Sequence, residues 1–263
     1  MYETNFHKAA TAQEAAALLN SADDGKILAG GQTLIPTMKQ RLADPTDVID
    51  LSGAADLRGV TIAGDQVTIG AMTTHAEVAG HAALAALCPS ICKLAANIGD
   101  PAVRHRGTIG GSLANNDPAA DYPAAVLALN ARIHTTSREI AADDYFEGMF
   151  ATALEEDEII TAISFNAPVK GGYGKFPNPA SRYAMAGVFV AKSTDGSVRV
   201  AVTGASEDGV HRHDGLEAAL SADWSASAVD GVEISSDGLL SDLHGNADYR
   251  ANLIKVMAKR ALG

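Results

Sequence analysis

The sequence predicts an α+β protein with more than one small core. Three observations carry this. The chain has 263 residues, long for one core and natural for two or three. Short apolar runs of strand character alternate with alanine- and leucine-rich helical runs along its length. The composition then changes over Pro168-Val169-Lys170-Gly171-Gly172-Tyr173-Gly174-Lys175-Phe176-Pro177-Asn178-Pro179, which marks a boundary or a functional loop. Hydrophobic residues make up 47% of the chain, which excludes a disordered polymer; aromatics are only 5%, so the cores should be aliphatic and alanine-rich.

The elements follow in order. Residues 11–20 are good helix formers, and Thr11 with Glu14 makes a capping box. Ile27-Leu28-Ala29 is a strand that runs into Gly30-Gly31, a helix continues through Met38–Arg41, and Asp47–Leu51 is a second strand. These make a small α/β unit ending near residue 52. Val60–Gly70 alternates on both sides of Gly64-Asp65 and predicts a hairpin. Thr73 or Thr74 caps a helix with Glu77, and a second helical run covers 81–96. Pro123 opens a helix over 123–129. Strands are expected at 131–135 and 159–165, then at 188–191 and 198–204 around the turn Thr194-Asp195-Gly196. Two late helices, at 215–220 and 247–262, complete the chain, and the last should dock on the last sheet.

Two glycine pairs dominate the chemistry. Gly30-Gly31 follows a strand and precedes a helical turn, the geometry of a phosphate site or of a simple turn. Gly110-Gly111 lies within Asp100–Asp121, followed by Ser112, two amides and two carboxylates. Glycine lets a backbone approach a ligand, and consecutive N–H groups hold anions. The two loops are therefore expected to close on one large phosphate-containing ligand. Neither G-x-G-x-x-G nor G-K-[ST] occurs, so the common nucleotide motifs are excluded. Arg104, His105 and Arg106 are phosphate ligands or a solvated basic face. His75 and His81 read as ordinary histidines. His211 and His213 alternate and with Asp214 are candidate metal ligands, but they read as a surface loop because no further ligand is apparent. Cys88 and Cys92 read as buried small hydrophobes and are too few for a zinc site or an iron–sulfur cluster.

The formal net charge of -12 argues against a general nucleic-acid binder. The N-terminus has no signal-peptide pattern and no apolar run reaches the length of a membrane span, so a cytoplasmic protein without a transmembrane segment is expected.

Three segments resemble the FAD-binding medium subunit of the molybdenum hydroxylases, the carbon monoxide dehydrogenase and xanthine dehydrogenase family. Ala29-Gly30-Gly31-Gln32-Thr33-Leu34-Ile35-Pro36 is similar to its first flavin pyrophosphate loop. Thr108-Ile109-Gly110-Gly111-Ser112-Leu113-Ala114, continued to Asp117 and Asp121, is similar to its second. Tyr173–Phe176 with Pro179–Ala184 is similar to the linker into its C-terminal domain, with Pro177-Asn178-Pro179 varying the usual pattern. The resemblance implies a two-part FAD domain of the vanillyl-alcohol-oxidase (PCMH) type, parts 1–52 and 53–170, followed by a small α/β domain at 171–263.

It also implies that residues 29–34 and 110–114 wrap the pyrophosphate. Asp121 falls where an acidic residue contacts FAD, and Ile98 where a hydrophobic residue lies near it. Lys175 resembles a lysine near the isoalloxazine and Tyr183 a tyrosine that covers a flavin face. The partners implied are a large molybdopterin subunit and a small subunit with two [2Fe–2S] clusters, as a dimer of heterotrimers. Electrons would pass from those clusters through FAD to an external acceptor. The rival readings are a stand-alone flavin oxidase or reductase, and a non-catalytic binding or assembly protein. The segment 205–210 departs from the family's commoner turn, which leaves an acceptor or docking role of 205–213 open.

Overall fold

A computed structural model describes residues 1–263. The first unit holds β1 (Asn5–Lys8), α1 (Ala12–Ser21), β2 (Gly25–Leu28), α2 (Leu34–Lys39) and β3 (Asp47–Asp50). Its strands run parallel in the order β1-β3-β2. Parallel neighbours need crossovers, and α1 and α2 supply them. The Thr11 hydroxyl accepts from the Glu14 N–H at 3.2 Å, as the capping pattern predicts. Glu14 itself reaches one residue further back, to the Ala10 N–H. Ile49 and Leu51 pack with Ala12 and Ala15 to close this small core.

The second unit is a five-stranded antiparallel sheet in the order β4-β5-β10-β6-β7. β4 (Val60–Ala63) and β5 (Gln66–Gly70) are the expected hairpin, with Gly64 at φ +65° in its turn. Between β5 and β6 the chain leaves the sheet as six helices: α3 (His75–Gly80), α4 (Ala82–Leu87), α5 (Pro89–Ala96), α6 (Pro101–Arg104), α7 (Ile109–Asn115) and α8 (Tyr122–Ala128). Thr74 and Glu77 make a complete capping box for α3. The single helix expected over 81–96 is two helices. Pro89 has no N–H to continue a helix and starts α5 instead, while the His81 ring caps α4 by accepting from the Leu84 N–H. The sheet is completed by β6 (Arg132–Thr135), β7 (Glu139–Ala141) and β10 (Ile160–Asn166), after the small hairpin β8 (Phe146–Gly148) and β9 (Ala151–Thr152). Val67, Ile69, Ile133 and Ile163 of the sheet share one core with Leu84, Ile91, Ile109 and Leu113 of the helices. Cys88 and Cys92 are free and buried in it, and burial raises both thiols.

The glycine-rich segment after Pro168 is a strand, not a loop. β11 (Lys170–Pro177) is the edge of a four-stranded sheet with β12 (Ala184–Lys192), β13 (Val198–Thr203) and β14 (His211–Arg212). Gly172 and Gly174, two apart, point the same way. A Cβ on either would lie 1.7 Å from the Ala261 carbonyl oxygen or 2.2 Å from that of Met257. The backbone of α10 (Ala247–Ala261) occupies that space. The glycines thus serve helix–sheet contact. Leu253, Ile254 and Met257 of α10 join Val188, Val190, Val200 and Val202 in the third core, as the apolar stripe predicts. Before α10 lies α9 (Asp214–Ala222), capped by the His213 ring, which accepts from the Leu216 N–H. No three His, Cys, Asp or Glu side chains converge as a metal site. No helix is long and apolar enough to cross a membrane.

Candidate cofactor cleft

A cleft of about 750 Å³ opens between the first and second units. Its size suits a large cofactor. All of residues 29–34 line it, as do Ile98, Thr108, Gly110, Gly111, Ser112, Ala114, Asp117, Asp121 and Tyr183. Residues almost eighty positions apart therefore face one space. Ile109 and Lys175 do not line it. The Ile109 side chain is fully buried in the second core.

The two glycine pairs are built differently. Gly31 sits at φ +71°, which an L side chain adopts only with strain. A Cβ on Gly30 would come 2.2 Å from the Arg106 carbonyl oxygen, so the first loop lies directly on the chain at 106–107. The N–H groups of Gly30, Gly31, Gln32 and Thr33 donate to no acceptor within the protein. They form a run of free donors beside the cleft.

The second pair belongs to a capped helix. The chain at 107–110 runs along residues 71–75. The His75 N–H donates to the Gly107 carbonyl at 2.9 Å, the Ile109 N–H to Thr73 at 3.2 Å and the Gly110 N–H to Ala71 at 2.9 Å. Thr108 Oγ1 accepts from the Gly111 N–H, and the Ser112 N–H donates to the Thr108 carbonyl. Four consecutive N–H groups are already spent. Gly110 is required by packing, because its Cβ would lie 2.6 Å from that of Ala71.

Charge in the cleft is mostly negative. Lys26 and Arg182 are the only fixed cations on its wall, against Asp117, Asp121, Glu156 and Glu158. Burial pushes the Asp117 carboxyl above its ordinary range. Arg104 does not reach the cleft. Its guanidinium donates to the carbonyls of Ile98 and Gly99 at 2.9 and 3.1 Å, holding the segment that presents Ile98. His105 is turned to the Pro101 carbonyl.

Lys175 takes a supporting place behind the wall. Its ammonium donates to Asp121 Oδ2 at 2.9 Å and to the Asn97 carbonyl at 3.1 Å, and the Tyr173 hydroxyl donates to Asp121 Oδ1 at 2.5 Å. Burial raises the Asp121 carboxyl, and the Lys175 charge and the Tyr173 hydroxyl oppose that. Both of its oxygens are thus held by one strand, β11, of the third unit. Tyr183 is half-exposed on the cleft wall, and burial raises its hydroxyl.

One residue dismissed by the sequence reading also lines the cleft. His75 is 5% exposed. The capping box before it announces only that it starts a helix, not which way its ring turns. Tyr173 likewise carried no site signal, since its partner Asp121 lies 52 residues earlier.

Comparison with known proteins shows the family. The family described as the FAD binding domain in molybdopterin dehydrogenase matches residues 2–168. The chain is 37% identical to the nicotine 6-hydroxylase medium subunit of Paenarthrobacter nicotinovorans, over 96% of this chain and 94% of that one. It is 34% identical to the carbon monoxide dehydrogenase medium chain of Hydrogenophaga pseudoflava, over 98% and 95%. A solved structure of carbon monoxide dehydrogenase from that organism superposes with a TM-score of 0.89 at 34% identity, covering 99% of this chain and 96% of that one. The chain therefore belongs to the FAD-binding medium subunits of the molybdenum hydroxylase family, oxidoreductase subunits with a PCMH-type fold and FAD as their cofactor.

Proposed function

We propose that this chain is the electron-transfer subunit of a heterotrimeric molybdenum hydroxylase, working with a large molybdopterin subunit and a small [2Fe–2S] subunit. The single observation that carries the cofactor's placement is the run of free N–H donors at 30–33 beside a cleft with few cations. A diphosphate is well held by several N–H groups in such a place. These donors, together with the wall at 108–114, would hold the pyrophosphate of FAD. Ile98 and Tyr183 would flank the flavin ring, with Asp121 oriented from behind by Tyr173 and Lys175. Bound FAD can take two electrons and release them singly or together, which suits it to stand between one-electron clusters and an external acceptor.

On this reading substrate is oxidised in the large subunit, and two heterotrimers associate in the cytoplasm. The parts 1–52 and 53–170 enclose the cofactor, and 171–263 buttresses it. The relatives bear the names medium subunit and medium chain, which supports a role within a larger assembly. The test is native isolation of the complex from its own cells, with an absorption spectrum and metal analysis. Flavin, iron and molybdenum with two co-purifying chains are expected. A lone flavoprotein without iron or molybdenum would overturn the assignment.

A further inference from the structure

His75 presents an unexplained arrangement. Its ring is enclosed: it stacks at a tilt on Tyr122, with centroids 5.3 Å apart, and a Cβ on Gly107 would lie 2.5 Å from its Nε2. Nδ1 is completely buried and makes no hydrogen bond. A buried polar atom without a partner is costly, and native proteins keep few of them. Nε2 stands against Gly107 but, unlike Nδ1, is not completely buried, and the residue lines the cleft. Burial and the nearby Arg104 charge lower the ring's pKa to about 4, so the ring is neutral at physiological pH. A neutral imidazole has one N–H and one lone pair. Leaving the lone pair at buried Nδ1 puts the N–H on Nε2, where the cleft can use it. The opposite tautomer would bury an unpaired N–H, the worse choice.

We infer that His75 is a neutral Nε2–H donor to an acceptor atom of the bound dinucleotide, held in that tautomer by its enclosed and unpartnered Nδ1. This rests on the cleft being the FAD site. Its role is positioning and affinity, not proton transfer. It gives the second wall, whose own N–H groups are spent at 109–112, a side-chain donor of its own.

The test uses the whole chain stripped of cofactor and titrated with FAD, read by flavin fluorescence, alongside thermal unfolding of the apo form. Three forms are compared: wild type, His75→Phe and His75→Gln. His75→Phe keeps a planar ring and removes both nitrogens. It should weaken FAD binding roughly tenfold, the loss of one good hydrogen bond, while the apo form unfolds no lower than wild type. His75→Gln restores an N–H donor and should recover most of that loss. Nitrogen NMR of the wild type should show an Nε2–H tautomer whose Nε2 signal moves on adding FAD and whose Nδ1 signal does not. Unchanged affinity in His75→Phe, or an Nδ1–H tautomer, would overturn the inference and leave the site reading intact. Failure of wild type to bind FAD would sink the site reading itself. If His75→Phe does not fold, the tautomer measurement decides alone.

Discussion

The two glycine loops look alike in sequence and do different work. The first, at 30–33, leaves its N–H groups free and turns through positive φ at Gly31. The second, at 108–112, is a helix start whose donors go to Thr108 and to the 71–73 backbone. One loop is kept open for a ligand; the other is closed on its own protein and forms a firm wall. Glycine has a separate reason at each place: a strained turn at Gly31, contact with a neighbouring backbone at Gly30, and contact with Ala71 at Gly110. A glycine pair is therefore no measure of how many donors a site offers.

Changes in the two loops should separate along this line. Gly30→Ala drives a Cβ into the Arg106 carbonyl and displaces the free donors. FAD affinity should fall by about a hundredfold, measured by equilibrium titration. Retention of wild-type affinity would break the comparison at its strongest point.

Acid should act beside the second loop, at the start of α3. The His75 ring, facing Arg104 and Tyr122, has its pKa lowered from 6.5 to about 4 by burial. The unfolded chain therefore binds a proton between those values while the folded one does not. Stability from this group is full above pH 6.5 and falls toward pH 4, by roughly 3 kcal/mol in all. Urea unfolding of the apo form across that window should show the slope in wild type and its loss in His75→Phe.

Gly110→Ala presses on Ala71 and should cost about 1–3 kcal/mol of stability, with FAD affinity much less affected than in Gly30→Ala. The smallest effect sharpens the contrast further. Thr108→Ala removes the cap that accepts from Gly111 and should cost about 1 kcal/mol in thermal unfolding. Should the freed Gly111 N–H turn to the ligand, FAD would restore part of that loss, and the second loop would prove less closed than its hydrogen bonds imply.

What could be read without a structure was whatever depends on near neighbours. The capping pairs Thr11–Glu14 and Thr74–Glu77, the Gly64-Asp65 hairpin, the proline-led α8 and the stripe of α10 all depend on residues within a turn or two. The matching motifs at 29–36 and 108–121 likewise carried the family and its cofactor, because a pyrophosphate loop is a local backbone pattern. Tertiary structure decided what depends on distant partners. Gly172 and Gly174 read as a loop until α10, some eighty residues later, is laid against them. Lys175 read as a flavin neighbour, yet its ammonium is drawn to Asp121, 54 residues earlier, because a buried carboxylate needs a counter-charge. His75 read as ordinary because nothing nearby in sequence reveals that its ring is walled in by Gly107 and Tyr122. Local propensity chose the elements; only long-range packing chose which donors stay free for a ligand.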